Sequence, residues 1–240
     1  MVPHKETTAE PKTGKGERTR QTILAAALEL FQKQGYETTT MRQIAREAGV
    51  SLGNAYHYFQ SKEDLMQAYY EDLCQQQVLA SLRAMALEKS LKSRLVAAVS
   101  ACLSVLQPHR SLLSSLFAVA GSPQSRLSPF GPHTRSVRER SVDIFADVLR
   151  GCEDTPPEAL REDLPCLLWL YYMGILFFWL HDDSFGWQRT TSLINSSASL
   201  LSTMLVLLRL PAPTPVRKPI LDLMRDIRAF VVRDEPIKMS

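Results

Sequence analysis

Cysteine is scarce in this chain. There are four in 240 residues, at positions 74, 102, 152 and 166, and no two stand at CxxC spacing. That excludes a disulfide framework and a zinc finger or ribbon, and leaves reduced structural thiols in a cytoplasmic protein as the expectation. Glycine is sparse too, ten residues, and hairpin dipeptides such as Asn-Gly are missing. With no strand-like alternation either, a β-rich fold is excluded. The N-terminal stretch MVPHKETTAEPKTGKGERTR has no apolar core, so no secretory signal is expected. The longest apolar run, Cys166–Leu180, is 15 residues, short of the roughly 18–20 that cross a bilayer. It reads as a buried core helix. Catalytic signatures are lacking as well: no G-x-S-x-G, no H-E-x-x-H, no Walker A, and five histidines far apart in the chain. An enzyme without any readable motif is the remote alternative. No cofactor or metal is expected. His181-Asp182-Asp183 lie side by side, so they cannot all face one ion, and they read as a solvated helix end.

What is present is a charge placed at one end. Residues 1–62 carry nine Lys/Arg against six Asp/Glu, and residues 63–240 carry 19 of each, so the whole net +3 lies in the first quarter. A segment that faces a polyanion shows this bias.

The hydrophobic spacing is helical throughout. Residues 1–17 read as a polar, flexible arm. Ile23, Ala27, Leu30 and Phe31 form one helical face, ended by Gly35. Thr40-Met41-Arg42-Gln43 is a capping box that opens a short helix carrying Ile44, Ala45 and Ala48, which stops at Gly49. Ser51 caps a third short helix reaching about Tyr58, and Ser61-Lys62-Glu63-Asp64 starts a longer one into the eighties. Further helices are expected near 91–107, 110–120, 134–151, 157–182, 187–210 and 217–232. The chain therefore reads as all-α, with a three-helix domain over 18–64, a larger helical domain over 65–211 and a helical extension over 212–240.

Two short helices meeting at Gly49 have the pattern of a helix-turn-helix. Ala45 is small enough for a close crossing, and Gly49 tolerates positive φ. Val50 can plug the core after the turn. Ala55 and Phe59 fall on the inner side of the third helix. Leu52, Gly53, Asn54, His57 and Tyr58 fall on the other side, toward a major groove. Thr40, at a helix N-terminus, suits a phosphate, and Lys62 can reach another.

The stretch Gly35–Leu65, GYETTTMRQIAREAGVSLGNAYHYFQSKEDL, resembles the DNA-binding signature of the TetR family of bacterial transcriptional regulators. The matching elements are the Gly-aromatic pair, the threonines, Ile44-Ala45, Ala48-Gly49-Val50-Ser51, Gly53, Tyr56, Tyr58-Phe59 and Lys62-Glu63-x-Leu65. The resemblance implies that Thr40, Tyr56, Tyr58 and Lys62 hold phosphates and that Arg42 meets a phosphate or a base edge. Ser51, Leu52, Gly53, Asn54 and His57 complete the DNA-facing set. Leu52 stands where other members carry a longer polar side chain, so DNA shape is expected to contribute to readout. Plainer roles stay open: Tyr56 and Tyr58 as packing residues, His57 and Arg42 as surface charges. The N-terminal Lys12, Lys15, Arg18 and Arg20 either track a groove or only aid solubility.

The resemblance also implies a homodimer on a palindromic double-stranded operator, joined through the helices near 157–182 and 187–210. Leu193, Leu200, Leu201, Met204, Leu207 and Leu208 supply an apolar stripe there, with Ser196, Ser197 and Ala198 allowing close approach. It further implies a repressor released by a small hydrophobic or aromatic effector, for which Phe117, Trp169, Tyr172, Met173 and Phe177 are the candidate pocket residues. A core role accounts for the same five. A family member without any small-molecule ligand is the alternative.

Overall fold

A computed structural model describes residues 12–154, 156–207 and 214–232. Every regular element among them is helical: α1 (Lys12–Gln34), α2 (Met41–Glu47), α3 (Leu52–Tyr58), α4 (Lys62–Met85), α5 (Leu91–Leu106), α6 (Arg110–Ala120), α7 (Arg135–Arg150), α8 (Leu164–His181), α9 (Gln188–Leu207) and α10 (Thr214–Val232). The chain divides into two compact units, one through Tyr69 and one from Tyr70.

The first unit follows from its caps. Thr40 accepts a bond from Gln43 N (3.3 Å) while the Gln43 amide oxygen accepts from Thr40 N (2.8 Å), the reciprocal box read from the sequence. Ser51 Oγ accepts from Asn54 N and Ser61 Oγ from Asp64 N, each at 3.1 Å. Gly35 and Gly49 take φ +92° and +68°, so each ends its helix in the left-handed region that side chains avoid. Ile23, Ala27, Phe31, Ile44, Ala45, Ala55 and Phe59 are buried between α1, α2 and α3. Val50 is half-buried and ties the turn through its N–H to Ala45 O (2.9 Å).

Helix α1 begins at Lys12, inside the stretch expected to be a flexible arm. Gly16 lies at the ring of Tyr58, within 3.7 Å of its hydroxyl for an added Cβ, and the Arg20 guanidinium stacks over Phe59 (5.1 Å). These contacts hold the first turns of the helix, and no local pattern announces them. Of the arm, residues 1–11 lie outside the described residues.

In the second unit α8 is central, packed by α7, α9, α10 and α6. It starts at Leu164 rather than near 157, because Pro156 and Pro157 precede a short 3₁₀ turn and Pro165 is suited to a first helical turn. At 18 residues it is long and apolar enough to cross a membrane, yet half of it is buried inside the unit. Its outer side is bare: Gly174, Phe177 and Phe178 are exposed. Inside, Gln77 donates to Tyr172 Oη (2.8 Å) and to Cys102 O (3.3 Å), giving a buried polar side chain its partners. All four cysteines are buried, and burial pushes the Cys102 thiol up to about 12, so it stays protonated and unreactive.

Two other expectations change. Asp182 is buried, not solvated: its carboxylate accepts from Ser184 N and Oγ and from Thr190 N and Oγ1 (2.6–2.9 Å), at the start of α9. Burial opposes its charge, but these four bonds outweigh it and hold the carboxyl well below the usual carboxylate range. The side chains of His181 and Asp183 turn elsewhere, to Phe177 O and to Arg189. Helix α10 starts at Thr214, with Pro219 inside it, and docks on α8; Arg228 pairs with Glu162 (2.6 Å) and Asp163 (3.3 Å).

Candidate nucleic-acid interface

The outer side of α2 and α3 gathers most of the sequence-predicted residues. Thr40, Arg42, Ser51, Gly53, Asn54, Tyr56 and His57 are exposed, while Leu52, Tyr58 and Lys62 are half-buried. Ala55 is fully buried and fixes which side of α3 faces inward. Among the described residues nothing lies within 4 Å of where a Gly53 Cβ would stand, so the backbone there is open to a close-approaching surface. The Asn54 side chain bonds to no described residue, and Tyr56 is 47% exposed, a large aromatic left out of the core. A side chain kept in water on a rigid helix loses little on meeting a partner, because its hydrogen bonds are free to be exchanged. His57 and Tyr58 meet edge to face (5.2 Å). The half-buried Tyr58 is therefore held between its neighbour's ring and the first turns of α1.

Lys62 is placed differently from the expectation of an outward cation. Its ammonium donates to Tyr36 O (2.7 Å) and Glu37 O (3.2 Å) and sits over the Tyr36 ring (4.5 Å). Tyr36 Oη in turn donates to Glu63 Oε1 (2.9 Å). The start of α4 thus pins the connection between α1 and α2, just ahead of Thr40. Thr39, buried there, donates to Gly35 O (2.7 Å). This cluster joins residues up to 27 apart in the sequence, and only the Gly-aromatic spacing hinted at it. Lys62→Met is expected to cost about 1–2 kcal/mol, from two charge-assisted bonds and a cation–π contact. The melting temperature should fall by roughly 2–8 °C. An unchanged melting temperature with weaker DNA binding would instead make Lys62 purely a phosphate ligand.

Helices α2 and α3 carry two Lys/Arg between them, Arg42 and Arg46. Arg42 and Arg46 are exposed on α2, and Lys15 on α1. Phosphate holding on such a surface depends on hydroxyls and backbone N–H groups beside them, which predicts a shallow dependence of affinity on salt.

The five candidate effector residues stand at different depths of the second unit. Trp169 and Tyr172 are buried, Met173 is half-buried, and Phe117 and Phe177 are exposed and touch each other at 5.0 Å. An open cavity of about 670 Å³ lies elsewhere, lined by Gln107, Arg110, Ser111, Ser114, Ser115, Leu180 and Trp187.

Comparison with known proteins places both units. Residues 23–69 match the family model for bacterial regulatory proteins of the tetR family, and residues 94–218 match the tetracyclin repressor-like C-terminal domain. The HTH-type transcriptional regulator HbdR of Aromatoleum sp. (strain CIB) is 54% identical over 50 residues, 21% of this chain. The chain spans only 22% of HbdR's own length. The HTH-type transcriptional regulator TtgW of Pseudomonas putida is 33% identical over 146 residues, covering 61% of this chain and 98% of TtgW. Among solved structures, the transcriptional regulator FadR from Bacillus subtilis, in complex with stearoyl-CoA, superposes with a TM-score of 0.59 at 19% identity, over 76% of this chain and 97% of that one. The second family match takes in more than half of the chain, and the chain belongs to the TetR family of helix-turn-helix transcriptional regulators.

Proposed function

We propose that the protein is a homodimeric repressor that grips a palindromic operator with two copies of α3 and releases it when a small hydrophobic or aromatic effector binds the second unit. The observation that carries the reading is the outward row on α3: Gly53 with open space, Asn54 with no side-chain partner among the described residues, and Tyr56 exposed. Asn54 is assigned to a base edge, since an amide donates and accepts together against adenine. Leu52, Gly53 and His57 face the groove beside it. Tyr56, Tyr58, Arg42, Ser51 and Thr40 hold the backbone, and Lys62 contributes by fixing the loop ahead of Thr40.

Dimerisation is assigned to α8 and α9. Leu200 and Met204, one turn apart on α9, are 61% and 49% exposed, and Gly174 and Phe178 of α8 are bare. Large apolar groups left in water on two adjacent helices mark an interaction surface. Ile194 and Ala198 point the other way, into the core, so the contact stripe is narrower than the leucine spacing implied. Leu193 and Leu201 are half-buried at its margin, the side chain of Leu207 and all of Leu208 lie outside the described residues, and Ser196 is exposed. Leu200→Glu with Met204→Glu should yield a monomer by light scattering, with the helical spectrum kept. A persistent dimer would move the interface elsewhere.

Effector release follows from linkage: a ligand that prefers one spacing of the two heads weakens operator binding by its differential affinity, about 1–3 kcal/mol. The solved FadR complex, with its stearoyl-CoA, supports a ligand-responsive reading of this architecture. The deciding experiment is a mobility shift on DNA upstream of the protein's own gene, across a salt series. Asn54→Ala is expected to relax base preference at one position by about 1–3 kcal/mol. Absence of sequence-preferring binding by the wild type would sink the reading.

A further inference from the structure

The cavity lined by Gln107, Arg110, Ser111, Ser114, Ser115, Leu180 and Trp187 has the size of a small-molecule site, about 670 Å³. Its chemistry is set by Arg110. That guanidinium donates through Nε and Nη2 to Trp179 O (3.3 and 3.0 Å), and through Nη2 to Leu180 O (3.2 Å) and Asp182 O (2.7 Å). It is also flanked by the rings of Trp179 (5.5 Å) and Trp187 (5.8 Å). The cation is therefore immobilised at the C-terminal end of α8, where the helix carbonyls favour positive charge. Yet every acceptor it meets is a neutral carbonyl. Among the described residues no carboxylate stands within ion-pair distance, and Nη1 has no acceptor. The Asp182 carboxylate is already taken by Ser184 and Thr190.

The walls supply the rest of a site. Ser111, Ser114 and Ser115 lie on one side of α6 and are exposed. Ser115 Oγ donates to Leu112 O (2.8 Å), while the hydroxyls of Ser111 and Ser114 and the amide of Gln107 bond to no described residue. The indole of Trp187 forms a flat apolar wall with Leu180 beside it. Trp187 holds φ +53° directly after Gly186 at +59°. A bulky side chain rarely takes that conformation, so the connection between α8 and α9 spends conformational energy to present this ring.

We infer that this cavity binds small organic anions with a flat apolar body, such as aryl carboxylates: the anion accepts from Arg110 Nη1 and the serine hydroxyls, and the ring lies on Trp187. A fixed cation with an unused donor favours an anion over its neutral isostere, because the charge-assisted bond is made without reorganising the site. As an effector site the cavity rests on the ligand-responsive reading above. Binding itself does not, and calorimetry without DNA measures it separately.

The test is titration of the full chain with 2-naphthoate and with neutral 2-naphthamide. Arg110→Met removes the cation but also unties the end of α8, so two variants at the exposed Ser114 carry the test. Ser114→Glu places a carboxylate where the ligand's would lie, and Ser114→Gln adds the same bulk without charge. Naphthoate should bind the wild type at least about tenfold tighter than the amide, a difference of about 1.4 kcal/mol. Ser114→Glu should lose that binding by a similar factor, and Ser114→Gln should stay well above Ser114→Glu. No naphthoate binding at millimolar concentration, equal affinity for acid and amide, or equal affinity in the Glu and Gln variants would overturn the inference.

Discussion

Gly53→Glu is expected to abolish operator binding in a protein that folds as well as the wild type. Position 53 lies in the first turn of α3, behind the Ser51 cap, and nothing stands within 4 Å of the new Cβ. Replacing glycine inside a helix gains up to about 1 kcal/mol, and an acid in the first turn gains a few tenths more. The fold should therefore hold or gain. On DNA the same side chain brings a negative charge and a long, bulky stem to where backbone and groove must meet. Both the lost approach and the repulsion from phosphates act there. Affinity should drop by at least about a hundredfold, some 2.7 kcal/mol. Gel shift and thermal melting on one preparation check both halves. Retained affinity would take α3 off the DNA, and a lowered melting temperature would show that the open space beside Gly53 is filled in solution.

The second large effect lies far from the DNA-facing side. Arg94 donates to four carbonyls: Val148 O (2.9 Å), Asp147 O (2.8 Å), Met85 O (3.1 Å) and Glu88 O (3.0 Å). One guanidinium thus caps the C-terminal ends of α4 and α7 together. Gly151 makes this possible, since a Cβ there would stand 2.3 Å from Arg94 Nη2. Arg94→Ala should cost about 3 kcal/mol, because carbonyls at two helix ends lose their donor while partly buried. The melting temperature falls by roughly 6–12 °C. Gly151→Ala should be harmful for the same reason, by pushing the guanidinium off its acceptors. In the double variant the alanine at 151 meets no guanidinium, so the two costs should fall short of adding. Full additivity in that cycle would show that Gly151 matters for something other than Arg94.

How much of this was readable in advance depends on the distance over which each feature is determined. Thr40 with Gln43, Ser51 with Asn54 and Ser61 with Asp64 are bonds three residues apart, and all three helix starts follow from them. Gly35 and Gly49 mark their turns because only glycine takes those φ values without strain. The start of α1 at Lys12 was not readable, since Tyr58 and Phe59, which pack against it, lie some forty residues away. Lys62 looked like an outward cation because its partners are carbonyls, groups that every residue carries and no pattern distinguishes. Asp182 looked solvated because Thr190, eight residues on, receives its carboxylate only once α9 folds back. The leucine spacing of α9 left inner and outer sides undivided, and burial of Ile194 and Ala198 separates them.

The net +3 in the first quarter, the all-helical texture and the Gly35–Leu65 signature already carried the family and the helix-turn-helix, because periodicity, caps and turns are local and survive without tertiary contacts. What only the folded chain decided is where charges and cavities come to rest. Arg94 and Arg110 are ordinary arginines in sequence. Folding gives one four carbonyl partners and leaves the other beside an open cavity with a donor unused among the described residues. Their partners lie up to 72 residues away, and no local pattern encodes a contact closed by packing across that span.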